Sequence, residues 1–363
     1  MVESAYIHIP FCRQKCNYCS FVSFPILHRK GQYLSALKRQ ILREYKGENL
    51  KTLYFGGGTP SLLTLAELKL LLALFQFQPD AEVTLEINPE TVNSQYFYAL
   101  ASTKVNRLSI GSQSFDNNIL KSIGRKHKVE DVFQVIEEAR SAGFSNISLD
   151  FIYGLPEQTL EGFIADLRLA VSLGVEHISL YGLKIEEGSF YYRKPPKNMA
   201  DEELQAEMYL AAIDFLVKNG FEHYEISNFA RGKRHSHHNI NYWSNKEYYG
   251  FGLAAHGYVD GVRYANTENF EDYCTQSEYR IFEQNLSMQE ILEEEIFLGL
   301  RLMQGINVKK INKKFGIDFE RKYDKILKKY LQDGFITYKN GCYCFTNDGV
   351  LVSNVVLAEF LDG

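Results

Sequence analysis

The sequence predicts an α/β fold in which six βα units surround a parallel sheet, followed by a smaller C-terminal module of winged-helix type. Three observations carry this. Short β-branched and aromatic runs alternate with amphipathic segments between residues 6 and 181. Glycine-rich and polar motifs fall at or just after the ends of those runs, where open sheets and barrels both hold ligands. Beyond residue 285 the pattern changes to helices and two short strands. Six units are too few to close an eight-stranded barrel, and spacing alone leaves a partial barrel and a doubly wound sheet both open.

In chain order, Tyr6-Ile7-His8-Ile9-Pro10 reads as a buried strand, with His8 a packed core residue. Residues 32–45 are helical, with Tyr33, Leu34, Leu37 and Ile41 on one face. A second strand over 52–55 runs into Gly56-Gly57-Gly58-Thr59-Pro60, and residues 65–75 form a helix. Strand three spans 83–87 and ends at Asn88-Pro89. Strand four spans 107–110 and leads into Gly111-Ser112-Gln113-Ser114-Phe115. Helices at 129–141 and 160–173 flank strand five, 147–151, and strand six follows at 177–181. A further helix is expected at 201–217 and a strand at 224–226. In the tail, helices are expected at 293–303, 309–315 and 319–331, strands at 335–338 and 342–345, and a closing helix at 350–360. The expected division is a barrel over 1–230, a connecting segment over 231–285 and the winged-helix-like module over 286–363.

Composition narrows the function. Net charge is -5, which does not indicate a general nucleic-acid binder. No run approaches the roughly 20 apolar residues of a membrane span. The start shows neither a charged n-region nor an apolar h-region, so a cytoplasmic location is expected. Six cysteines, three of them clustered, fit a reducing compartment and a metal site.

That cluster is Cys12-Arg13-Gln14-Lys15-Cys16-Asn17-Tyr18-Cys19. Its spacing lets one loop wrap three thiolates around a corner of an iron–sulfur cube, for which four Cys ligands are usual. No fourth cysteine follows; two positions after Cys19 stands Phe21. One iron would keep an open position for an exchangeable ligand. A zinc knuckle is the alternative, but no second ligand pair stands at zinc spacing.

Cys-x3-Cys-x2-Cys after a short strand resembles the signature of the radical S-adenosylmethionine (SAM) superfamily. The resemblance implies a partial (β/α)6 TIM-like barrel, a [4Fe-4S] cluster on Cys12, Cys16 and Cys19, and SAM on the open iron. Leu85-Glu86-Ile87-Asn88-Pro89, Ser109-Ile110-Gly111-Ser112-Gln113-Ser114-Phe115 and Leu149-Asp150-Phe151-Ile152-Tyr153-Gly154-Leu155-Pro156 are similar to one branch. That branch holds oxygen-independent coproporphyrinogen III oxidase and the heme chaperones. In it, the positions of Tyr6, Tyr18, Gly57, Gly58, Thr59, Glu86, Gln113, Arg125 and Asp150 lie around SAM. The residue chemistry agrees: glycines admit a close backbone approach, carboxylates and amides hold ribose hydroxyls, and an arginine pairs a carboxylate. The glycine run lacks the Lys-Ser/Thr of a phosphate loop.

Three features favour the chaperone side. The oxidase has a further cysteine where this chain has Phe21, and an extension ahead of its motif, for which a motif starting at residue 12 is expected to leave no room. His238-Asn239-Ile240-Asn241-Tyr242-Trp243 resembles the chaperones' His-Asn-x-x-Tyr-Trp signature, associated with heme binding. Histidine is the common proximal ligand of heme iron. His235, His237 and His238 lie within four residues, with His238 the expected ligand and His237 its alternative; His256 reads as structural. Trp243, the only tryptophan, also suits an anchor for this segment. Cys274, Cys342 and Cys344 read as ordinary thiols. From Lys309 to Lys329, nine Lys/Arg stand against Asp318, Glu320 and Asp324. This basic face is expected to dock a partner or an anionic membrane surface. The expected function is binding heme and passing it to an unidentified acceptor protein, with an electron donor serving the cluster. The alternative is a radical SAM enzyme such as the oxidase, whose classical activity is not expected here.

Overall fold

The six expected strands form and pair in parallel, in chain order. They are β1 (Ser4–Ile9), β2 (Asn49–Gly57), β3 (Gln76–Ile87), β4 (Arg107–Gln113), β5 (Ile147–Tyr153) and β6 (His177–Gly182) in the computed structural model, which describes residues 1–361. A doubly wound sheet reverses its strand order at a switch point. Here order never reverses, so the partial barrel is the architecture.

Alternation along each strand explains the layers. Ala5, Ile7 and Ile9, Leu53 and Phe55, Leu108 and Ile110, and Leu149 and Phe151 are all fully buried and face the surrounding helices. The alternate residues are polar and face inward: Ser4, Tyr6 and His8; Thr52 and Tyr54; Thr84 and Glu86; Arg107 and Ser109; Ser148 and Asp150; His177 and Ser179. In register, Tyr6 lies beside Tyr54, Tyr54 beside Thr84, and Thr84 beside Arg107. An ordinary (β/α)8 core is filled by branched apolar side chains. This interior is instead a polar, hydrogen-bonded column.

Three more strands extend the sheet. β7 (Glu222–Glu225) and β8 (Asn228–Ala230) add antiparallel beside β6. β9 (Tyr249–Phe251) pairs in parallel with the free edge of β1. Residues 231–285, expected as a connector, thus contribute an edge strand. They also form an antiparallel sheet of β10 (His256–Val259), β11 (Val262–Asn266) and β12 (Arg280–Asn285).

The tail packs helices against a small antiparallel sheet of β13 (Ile306–Asn307), β14 (Ile336–Lys339) and β15 (Cys342–Phe345). Its first helix is Met288–Gly299 rather than 293–303. A capping box between Ser287 and Glu290 sets the start. At Gly299 a Cβ would meet the Ile306 side chain at 2.6 Å. The expected helix 319–331 is broken at Tyr323 into Phe319–Lys322 and Asp324–Gln332. The tail is tied to the barrel through backbone bonds from Ile226 N–H to Arg301 O (3.1 Å) and from Met303 N–H to Tyr224 O (3.0 Å). Among the described residues no helix is long and apolar enough to cross a membrane.

Candidate functional site

The cysteine loop leaves the C-terminal end of β1 and is held on both sides. Cys12 N–H donates to Phe24 O (3.2 Å), and Phe24 N–H donates to Pro10 O (2.8 Å). Asn17 donates from its backbone to Ile123 O (3.0 Å) and from its side chain to Ser122 O (2.9 Å), and the Gln14 amide donates to Gly124 O (2.6 Å). The three thiols are partly exposed and unbridged. Among the described residues no three Cys, His or carboxylate side chains converge on a single metal ion.

Donors aim at two of the sulfurs: Thr59 Oγ1 at Cys12 Sγ (3.4 Å) and Arg125 Nη1 at Cys16 Sγ (3.8 Å). Burial pushes the Cys12 thiol up and the Cys19 thiol up to about 11. Without metal these sulfurs stay protonated; coordination would remove the protons. Three cysteines, no fourth, and a hydroxyl and a guanidinium on sulfur fit an iron–sulfur cluster.

The other strand-end residues gather beside this loop. Gly57 has φ +111°, and a Cβ there would sit 2.6 Å from the His8 ring; at Gly58 it would meet Phe11 O at 2.8 Å. Glycine is thus needed for the run to lie on β1, whatever it binds. His8 takes the Tyr6 hydroxyl proton on Nδ1 (3.0 Å) and donates from Nε2 to Val22 O (2.9 Å). Glu86 accepts from Tyr54 Oη (2.9 Å) and Gly57 N–H (3.2 Å). Burial, aided by the Asp150 charge, raises its carboxyl to about 8. Asp150 accepts from Ser109 (3.0 Å) and Ser148 (3.2 Å), and burial raises it too. Gln113 adopts φ +66° where the β4–β5 register slips, a bulge that re-aims its side chain.

Arg125 is held by neutral acceptors: the Asn88 amide oxygen, Gly111 O (2.7 Å) and His127 Nδ1 (3.2 Å). Its charge faces the Tyr18 phenol, Cys16 and the Glu90 carboxylate. Acidic groups on β3 and β5 and a cation beside the cysteines suit a ligand carrying both an amino and a carboxylate group.

His238 does not join this group. Ser236 caps the helix His237–Trp243, whose first amides, His237 N–H and His238 N–H, both donate to the Glu82 carboxylate (3.0 Å each). The His238 ring is 1% exposed. Thr52 Oγ1 gives its own proton to Ser4 (2.9 Å), so it accepts from His238 Nδ1–H (2.9 Å), and the Nε2 lone pair takes the Tyr242 hydroxyl proton (2.8 Å). Burial lowers the ring to about 3 and keeps it neutral. One face stacks on Tyr54 at 5.1 Å, and the Tyr54 hydroxyl reaches Glu86. Thus His238 plugs the N-terminal end of the barrel while the cysteines crown the other, and Tyr54 touches both groups. His235 stacks on Tyr224 at 4.3 Å and bonds Glu222 at 2.9 Å, whereas His237 is exposed. Arg301 lies over Trp243 (5.4 Å) and Phe297 (4.8 Å), pinning the helix to the tail.

Comparison with known proteins places the whole chain. It is 38% identical to the heme chaperone HemW of Lactococcus lactis over 99% of this chain and 97% of that protein. The chain belongs to the heme chaperone HemW family. Its Bacillus subtilis relative is 36% identical over 99% of both chains. The radical SAM superfamily profile matches residues 6–170, and the HemN C-terminal domain profile matches 286–352. The solved structure of Escherichia coli coproporphyrinogen III oxidase, itself a radical SAM enzyme, superposes with a TM-score of 0.87 at 23% identity, covering 98% of this chain and 89% of that one. This shows that the fold is shared. Membership in the family implies a [4Fe-4S]/SAM system and heme.

Sequence reasoning missed Tyr54, Glu82, Asn88 and His127, each engaged with an expected site residue. Period-two alternation along β2 and β3 would have put Tyr54 and Glu82 on the inward face.

Proposed function

We propose that the protein is a cytoplasmic heme chaperone: it binds heme through the histidine segment and hands it to an acceptor protein. The observation that carries this reading is the His-Asn-x-x-Tyr-Trp helix, which sets His238 in the barrel end with Tyr242 on its ring and Trp243 against the tail, next to the exposed His237. Full-length similarity to HemW proteins supports it. Cys12, Cys16 and Cys19 would hold the [4Fe-4S] cluster, and Tyr6, Tyr18, Gly57, Gly58, Thr59, Glu86, Gln113, Arg125 and Asp150 would surround SAM. When bound, cluster and SAM supply one-electron chemistry. The chain's part is to fix the loop, direct donors at sulfur and offer carboxylates opposite Arg125. Conversion of coproporphyrinogen III is not expected.

His238 is the proposed heme ligand, with His237 its exposed neighbour. The basic tail is the proposed docking face for acceptor or membrane. Lys309, Lys310, Lys313 and Lys325 make no ion pair among the described residues, while Lys314, Lys328 and Lys329 pair with Glu295, Asp324 and Glu359.

Heme titration of anaerobically reconstituted protein, followed by absorbance, tests the reading beside His238→Ala and His237→Ala. Saturable binding that His238→Ala weakens supports it. Weakening by His237→Ala alone moves the ligand by one residue. Failure of the wild type to bind heme would sink the reading.

A further inference from the structure

Three segments meet at the end of the barrel that carries the cysteines: the loop 10–24 after β1, residues 117–128 beyond β4 and residues 189–198 beyond β6. They are tied together at Asn17. Its backbone carbonyl accepts from Tyr191 N–H (2.9 Å), its side chain donates to Ser122 O (2.9 Å), and the Tyr191 hydroxyl donates to that same carbonyl (3.1 Å). Their charge is one-sided. Together they hold nine Lys/Arg and no Asp or Glu, in a chain whose acidic residues outnumber its basic ones 45 to 40. Arg125 reaches toward Cys16 Sγ, while the other cations, among them Lys15, Lys121, Lys126, Arg193 and Lys194, are exposed and make no ion pair among the described residues. Flanking carboxylates are few: Asp116 caps a helix, Glu186 accepts from Ser20 (2.7 Å) and faces Lys184 (3.9 Å), and Glu187 is exposed. Like charges held side by side cost stability by self-repulsion, and these segments supply no carboxylate to offset it. The same segments expose Phe21, Phe190 and Tyr192 by 66%, 42% and 55%. Aromatic side chains beside a charged rim have the composition of a protein interface.

We infer that this face is the docking site of a small acidic electron-carrier protein that reduces the cluster. The partly exposed thiols lie on the same loop, so a carrier seated on the basic ring comes directly against the cluster edge. There the carrier gives up one electron and is oxidised, the cluster takes it and is reduced, and no bond is made or broken. Redox encounters of this kind bury little surface and depend on electrostatic steering. A basic ring on a net-acidic chain provides that steering toward the end where the electron is needed. This inference rests on the reading of Cys12, Cys16 and Cys19 as cluster ligands and names the partner of that site.

The test follows reduction of the reconstituted cluster by absorbance, with the hydroquinone of a flavodoxin of net negative charge as the probe, and measures binding of the oxidised flavodoxin by calorimetry. Wild type is compared at low and high salt with Lys121→Glu/Lys194→Glu, with Tyr192→Ala and with a control in the tail, Lys313→Glu/Lys325→Glu. Reduction by dithionite checks that each cluster is intact. The ring double variant should lower the rate constant at low salt at least about tenfold and flatten its salt dependence, since rim charges act on the encounter. Tyr192→Ala should weaken binding about tenfold, and the tail control should match the wild type. A wild-type rate indifferent to salt, or an equal fall in the tail control, would overturn the face. Flavodoxin that neither binds nor reduces a cluster that dithionite reduces would overturn the carrier. A single-stranded oligonucleotide that binds the ring in place of flavodoxin would overturn it too and make the face a nucleic-acid site. A wild type that assembles no cluster would overturn the cluster reading and this inference with it.

Discussion

Replacing Glu86 by glutamine removes one titrating group from the barrel mouth and should change how stability depends on pH. Its carboxyl moves from an ordinary 4.5 to about 8, chiefly by burial. Between those values the folded protein holds a proton that the unfolded chain has released, so stability falls as pH rises. The slope is about 1.4 kcal/mol per pH unit for one proton. From pH 6 to pH 8 the wild type should lose roughly 2.5 kcal/mol that Glu86→Gln keeps. Urea unfolding of cluster-free protein at both pH values measures this, and the difference between the two proteins isolates Glu86 from the buried histidines. Parallel curves for wild type and Glu86→Gln would refute the reasoning, because Glu86 would then be charged across the range. A ligand amino group beside Glu86 should also draw that proton off. SAM binding at pH 7 is expected to release a proton, readable by calorimetry in buffers of different ionisation heat.

Three further outcomes are expected. His238→Ala should destabilise the fold by about 2–4 kcal/mol at pH 7, since the ring fills a buried site and satisfies Thr52 and Tyr242. Because the folded ring titrates at about 3 rather than 6.5, the wild type loses stability as pH falls below 6.5, and its advantage over His238→Ala should shrink by about 2 kcal/mol at pH 5. Gly58→Ala puts a methyl 2.8 Å from Phe11 O; it should cost about 1–3 kcal/mol and lower the iron content after reconstitution. Arg301→Ala removes a cation from the face of the only tryptophan, costing about 1 kcal/mol and shifting Trp243 emission at unchanged far-ultraviolet dichroism.

The parallel strands and the helix Val129–Ser141 were legible because each is a bounded run long enough to show its period. β9 was not: Tyr249-Gly250-Phe251 is three residues and shows no period, and its place beside β1 depends on contacts across the sequence. The helix Met288–Gly299 begins ahead of its expected start because the Ser287–Glu290 cap outweighs the apolar pattern further on. At the site, the cysteine loop, the glycine run, Glu86, Gln113, Arg125 and Asp150 stood out in the sequence because they interrupt or end apolar runs, and the structure gathers them at one end of the strands, Glu86, Gln113 and Asp150 within β3, β4 and β5. The burial of His238 was not. A polar, histidine-rich stretch reads as surface, and only the tertiary structure shows Thr52, Tyr54 and Tyr242 closing around the ring.

Tyr54 has a thermodynamic consequence. Its ring face supports His238 at one end of the barrel and its hydroxyl holds Glu86 at the other. A ligand that draws on Glu86 and a ligand that draws on His238 compete for, or share, the position of one side chain. Linkage then makes any influence mutual: on the proposed assignment of SAM to Glu86 and heme to His238, whatever factor SAM imposes on heme affinity, heme imposes on SAM affinity. On that assignment, loading and unloading of heme would be set by the occupancy of the opposite end, with no moving domain required.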